Sequence, residues 1–371
     1  MISKGEISMR LYKMELYKIW HKKIFIIGIV CTVAIMLLFL LPDERTTVNG
    51  ITYTGYEAVQ KDREITERYK GILTDEKAGQ IVEEFGFPHK VEPGWGHFRD
   101  ANFLNEFVMT YLSDGYINDW NDYKIASHIY PIAITELGEA KEAAGREIEL
   151  TYYKGWRVFW ETLPVGMVLG SILIMFGIST IFAGEGQTKM LSLLFTAAEG
   201  KNKDVHAKIA AAFTTAAVVW AGIFFMNLFI CGAIYGFDGL NCYSGLVLGD
   251  WILFPEMQLP MWYYFFLAIL LSLIGTLTLC AVTIGISACY TSSYHAVVTT
   301  AICYVAPVLL AMFIENSYTA RFLSIASVFM ATFNFIDDIY NIWMLPVSVA
   351  IAASLYSIIS AYRRYRRQQV L

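Results

Sequence analysis

The chain has 371 residues, 56% of them hydrophobic and 16% charged, with a formal net charge of -5 and a mean hydropathy of +0.47. So apolar a composition excludes an ordinary water-soluble enzyme, and the acidic balance excludes a nucleic-acid binder, which needs a basic surface for phosphates. Six cysteines, none of them in the largest polar stretch, exclude a disulfide-built scaffold.

Residues 1–23 open the chain. Within them MRLYKMELYKIW places Met9, Tyr12, Leu16, Ile19 and Trp20 near one helical face, with Arg10, Glu15 and Lys18 opposite. The pattern predicts a cytoplasmic amphipathic helix lying in the membrane interface. Residues 24–42 follow, charge-free. A hydrocarbon layer about 30 Å thick takes about 20 helical residues, so this is the first transmembrane helix. Pro42-Asp43-Glu44-Arg45 is not a small-residue cleavage site, which argues against a signal peptide.

Residues 43–157 form a polar insert with 21 acidic and 13 basic residues, a net of -8, against +3 for the rest of the chain. Helical spacing predicts helices over 56–71, 75–85, 100–113 and 133–149, broken at Pro88, Pro93, Gly94 and Gly96. Trp95, Phe98, Tyr116, Trp120 and Tyr123 add aromatic surface or core. His89, His97 and His128 lack the further ligands at fixed spacing that a metal would need, so they read as structural or solvated.

Residues 158–362 hold five more apolar runs: Leu163–Ala183, Ile209–Tyr235, Met261–Cys289, Ala296–Ile314 and Trp343–Tyr362. No ionisable residue lies in any span interior. Such spans suit an amphipathic molecule and offer little to a bare ion. Lysines and arginines mark one side: Lys4, Arg10, Lys13, Lys18, Lys22 and Lys23 at the start, Lys189, Lys201, Lys203 and Lys208 after the second span, and the basic tail 363–371. That side is cytoplasmic by the positive-inside rule. Residues 322–336 are too short to cross, and crossing would carry the basic tail outside, so they read as an outer re-entrant segment. The expected fold class is therefore an all-α integral membrane protein. It has six transmembrane helices, both termini cytoplasmic, and a mostly helical extracytoplasmic domain inserted between helices 1 and 2. Gly166 and Gly170 permit close helix approach, either between subunits or within the chain.

No catalytic, cofactor-binding or metal-ligating set emerges. Gly184-Glu185-Gly186-Gln187-Thr188-Lys189 fails the spacing of a phosphate loop, and no HExxH or nucleophile elbow occurs. The informative stretch is residues 185–200, EGQTKMLSLLFTAAEG. Leu191, Leu194 and Phe195 form an apolar face on a short inner helix, which Gly200 and Lys201 are expected to end.

This loop resembles the first coupling region of ABC-2 type exporter permeases. There a Glu at the end of the second span precedes Gly-Thr, an apolar Leu-Leu stretch, Ser/Thr-Pro and a basic residue. Glu185, Gly186, Thr188, Leu191, Leu194, Thr196 and Lys201 approximate that order, and the coupling helix the resemblance implies also takes in Lys189, Phe195 and Gly200. Ala197 or Ala198 stands in place of the proline, and lysine in place of the common arginine. The long insert resembles that of the larger bacterial members. The resemblance implies a non-enzymatic transport subunit in the bacterial cell membrane. It would pair with a second permease, identical or related, and with cytoplasmic ATP-binding subunits that bind ATP and Mg. Its own chain would carry no cofactor, its surroundings would be membrane lipid, and nucleic acid would not be a partner. Family substrates include peptides, antibiotics and lipids, and the acidic insert favours an amphipathic or cationic cargo. A membrane-anchored sensor or assembly protein, with a ligand on the outer domain, is the alternative.

Overall fold

The structure, a computed structural model, describes residues 4–88, 100–113, 128–187, 200–248, 259–313 and 344–367. The expected re-entrant segment at 322–336, His89, His97, and the aromatic residues Trp95, Phe98, Tyr116, Trp120 and Tyr123 lie outside these ranges. The chain is mostly helical. In order the elements are α1 (Lys4–Trp20), α2 (Lys23–Phe39), β1 (Arg45–Val48), β2 (Ile51–Thr54), α3 (Tyr56–Tyr69), β3 (Gly71–Ile72), α4 (Asp75–Phe85), α5 (Phe103–Leu112) and α6 (Glu136–Ala144). They continue with β4 (Glu149–Leu150), α7 (Lys154–Ile178), α8 (Thr180–Gln187), α9 (Gly200–Ile234), α10 (Ser244–Leu248), α11 (Met261–Ser287), α12 (Ser293–Phe313) and α13 (Met344–Arg367).

Three helical stretches among the described residues are long and apolar enough to cross a membrane: Lys154–Gly186, Lys203–Ile234 and Met261–Ser287. A fourth results if Met9–Trp20 and Lys23–Phe39, bent by 62°, count as one span. This is the helical, apolar character of a membrane protein.

The chain divides into two compact units. The first comprises residues 1–38, 163–226 and 267–371. In it α1 lies along α9, with the Tyr12 hydroxyl donating to Thr214 Oγ1 at 3.0 Å and Trp20 Nε1 to Thr215 Oγ1 at 3.2 Å. The expected faces of α1 are partly reversed: Met9 is exposed, and Glu15, assigned to the polar face, is buried. Glu15 pairs with Lys18 of its own helix, and α8 and α9 bring Glu185 and Asp204 within 4.8 Å of it, a setting that a one-helix pattern does not contain.

Gly166 and Gly170 make a close approach within the chain. A Cβ on Gly170 would stand 2.6 Å from Ile223 Cδ1, and one on Gly166 would stand 2.6 Å from Ile223 Cγ2. Gly170→Ala should therefore destabilise by about 1–2 kcal/mol through overpacking. Adding Ile223→Val, which removes the Cδ1 methyl, should recover most of that loss in thermal unfolding. If the two losses merely add, the contact is not the cause.

The second unit comprises residues 39–162 and 227–266. Among the described residues it contains four short strands beside its helices, elements that the mostly helical expectation did not place. Val48 and Ile51 pair across Asn49-Gly50, both at positive φ (54° and 76°), so β1 and β2 form a two-residue hairpin. The Asn49 and Gly50 amides donate to the Asp100 carboxylate at 2.8 and 2.9 Å, pinning the turn. β3 pairs antiparallel with β4, so the predicted helix over 133–149 ends early: α6 stops at Ala144, with Gly145 left-handed at φ 63°. Caps fix the other helices. Thr74 accepts from the Lys77 amide, and Asn102 and Asn105 form a reciprocal capping box at the start of α5. An aromatic cluster of Trp156, Phe159, Phe237 and Phe265 fills part of the core. Lys154 pairs with Glu44, and Thr162 donates to Asn227 Oδ1 at 2.8 Å.

Candidate functional site

Asp204 and Lys208 lie one turn apart on α9, so their side chains share a face. Lys208 is fully buried, and its ammonium donates to Glu185 Oε2 at 2.6 Å and also to Asp204 Oδ2. Glu185 comes from α8, and Tyr365 from α13. The Tyr365 hydroxyl donates to Asp204 Oδ2 at 2.8 Å and lies 3.4 Å from the Lys208 ammonium. The ammonium also sits 5.6 Å from the Phe182 ring centre and 5.2 Å from that of Tyr365, at cation–π range.

From α1, Glu15 and Lys18 face the same place. Lys18 Nζ lies 2.5 Å from Glu15 Oε1 and 3.6 Å from Glu185 Oε1. The carboxylates of Glu15, Glu185 and Asp204 each offer an oxygen within 4.8 Å of the others. Three carboxylates that close would repel strongly in a low-dielectric setting. The Lys208 ammonium, bonded to Glu185 and Asp204, and Lys18, beside Glu15 and Glu185, offset that repulsion. The three acids have the spacing to share a cation, and Lys208 already supplies one. The arrangement is a charge network tying α1, α8, α9 and α13 together.

Of the residues singled out from the sequence, Glu185 is in this network. Gly186 is one residue on, and a Cβ there would meet Thr291 Cα at 3.2 Å. Thr188, Lys189, Leu191, Leu194, Phe195 and Thr196 lie outside the described residues. Gly200 and Lys201 stand in the first turn of α9, and the inner helix they were expected to end lies outside the described residues. Gly166 and Gly170 belong to the α7–α9 contact.

Glu15, Lys18, Asp204, Lys208 and Tyr365 were not anticipated as a site. Two signals were present: Glu15–Lys18 at i,i+3 and Asp204–Lys208 at i,i+4, the latter directly abutting the apolar run from Ile209. Compared with models of known protein families, with curated proteins and with solved structures, the chain matches none.

Proposed function

We propose that the chain is the membrane-spanning permease subunit of an ATP-binding-cassette exporter. In this reading it crosses the bacterial cell membrane six times, with both ends cytoplasmic. The outer insert faces away from the cytoplasm, and an amphipathic substrate moves out at the expense of ATP hydrolysed by a partner chain. One observation carries the reading. The segment that resembles a coupling region, residues 185–200, begins in α8 and ends at the start of α9, and the charge network of Glu185, Asp204 and Lys208 clamps these two helices to each other. A lever pushed by a partner needs its two ends held; a free loop would dissipate the push. α1 and α13 join the same clamp through Glu15, Lys18 and Tyr365, so a displacement at the segment would reach both ends of the chain.

The test is recovery of an ATP-binding subunit with the detergent-solubilised protein from its native membrane. The wild-type chain should co-purify with such a subunit, and the double variant Leu191→Asp, Leu194→Asp should lose it at least about tenfold while eluting as a folded protein. A wild-type chain that retains no ATP-binding protein under gentle conditions sinks the reading and turns attention to the outer unit as a ligand sensor.

A further inference from the structure

Ser287, the last residue of α11, is fully buried, and its hydroxyl reaches into the backbone of another helix. Ser287 Oγ donates to the Ser179 carbonyl at 2.6 Å and accepts the amides of Phe182 at 3.1 Å and Ala183 at 3.2 Å. In an unbroken α-helix the Ala183 amide would donate to that same Ser179 carbonyl. Here a foreign hydroxyl stands between the two, at the residue where α7 ends and α8 begins. A side chain inserted into the i→i-4 ladder is one of the few identifiable causes of a helix bend.

The flanks of the break have substitute partners as well. The Lys22 ammonium takes the Gly177 carbonyl at 3.0 Å and also reaches the Thr180 hydroxyl. Gly177 itself is pressed against Phe25, where a Cβ would stand 2.9 Å from the ring. The upstream half is thus gripped from α2. The downstream half rides on the turn after Ser287: besides the Gly186–Thr291 approach, a Cβ on Gly184 would meet Ser293 Oγ at 3.6 Å. α8 and the 288–292 turn therefore form one block, α7 and α2 another, and the Ser287 hydroxyl is the hydrogen-bonded joint where they meet.

We propose that Ser287 is the pivot of a hinge at Ser179, which lets α8 tilt against α7 together with the 288–292 turn. With the hydroxyl inserted, the i→i-4 ladder is interrupted between Ser179 and Ala183. With it withdrawn, the Ala183 amide closes onto the Ser179 carbonyl and the ladder runs on, changing the tilt of α8. Because α8 carries Glu185, this motion would move the inner clamp when a partner ATPase closes, a role that rests on the function proposed above.

The test uses the full chain with whatever subunits it carries. Cys289 is exposed on the turn and Ile172 is exposed on α7. Spin labels on Cys289 and on an Ile172→Cys substitution, with Cys31 and Cys303 changed to Ser, report the tilt as a distance. Without nucleotide, Ser287→Ala should shift the distance by a few ångströms, on the order of other packed-helix movements, and narrow its distribution. Ser287→Thr should restore the wild-type distribution. With Mg–ATP added, the wild type should shift and Ser287→Ala should not, while still retaining the ATPase. A Ser287→Ala distance equal to the wild type without nucleotide overturns the pivot. So does an unchanged nucleotide response. If the wild type carries no ATPase, the exporter reading fails separately, and the nucleotide-free comparison still decides the pivot.

Discussion

Lys208→Met should destabilise the first unit by about 3–5 kcal/mol, the range for removing one partner of a buried ion pair. The methionine fills much the same volume, so lost packing contributes little. What remains is Glu185 and Asp204, both buried, with their shared ammonium gone and Glu15 within 4.8 Å. Lys18 compensates poorly, since it is 50% exposed and its nearest contact with Glu185 is 3.6 Å. In thermal unfolding of the solubilised protein the drop should be on the order of 10 °C. A triple variant, Lys208→Met with Glu185→Gln and Asp204→Asn, should recover most of it, because no uncompensated charge is left. Under the lever reading the triple variant should be stable and yet deficient in transport, since the clamp between α8 and α9 is gone. A Lys208→Met protein that melts with the wild type would show that the network is not what holds these helices.

The second large effect is a pH dependence in the other unit. Burial pushes the Asp62 carboxyl up to about 6 from its ordinary 3.8, and the Thr46 hydroxyl, the Lys154 ammonium and the Phe103 amide, which favour the charged form, do not offset it. The Phe103 amide donates to Asp62 Oδ1 at 3.2 Å, which ties α3 to the start of α5. The folded state therefore holds this proton more tightly than the unfolded chain does. Its stabilisation is fully present below pH 4 and is lost as pH rises through about 6, by about 3 kcal/mol in all for a shift of that size. Other carboxylates titrate in the same window, so the informative quantity is the difference from Asp62→Asn. Relative to the wild type, the variant should gain stability progressively between pH 4 and 7 in denaturant unfolding. Parallel profiles would show that Asp62 titrates alike in both states.

The membrane-protein character was legible before any coordinates. Charge-free runs such as Met261–Ser287 admit no other economical reading, because a helix of that length and composition has nowhere to bury itself in a small soluble domain. Helices α3 and α4 were also legible, from the spacing of apolar and charged residues. The β1–β2 hairpin was missed although its signal is strong. Thr46, Val48 and Ile51, Tyr53 flank an Asn-Gly pair, the sequence best suited to a turn with two positive φ angles. The two-residue strands β3 and β4 had no such signal. Their pairing joins residues nearly eighty positions apart, and nothing in either dipeptide announces the other.

What the sequence by itself determined is the class of the molecule: apolar helices, an acidic insert, and the bias of lysine and arginine toward particular segments. These are properties of composition and local period, which every residue carries with it. What only the tertiary structure decided is where charges and hydroxyls go once the helices assemble. Glu15 was assigned to a polar face and is buried. Lys208 lies beside an apolar run and neutralises carboxylates from two different helices. Ser287 is an unremarked serine at a helix end, and its hydroxyl occupies a gap in another helix's backbone. Each outcome depends on residues far away in the chain that pack around the group, and burial of a polar group is stable only when it is paired.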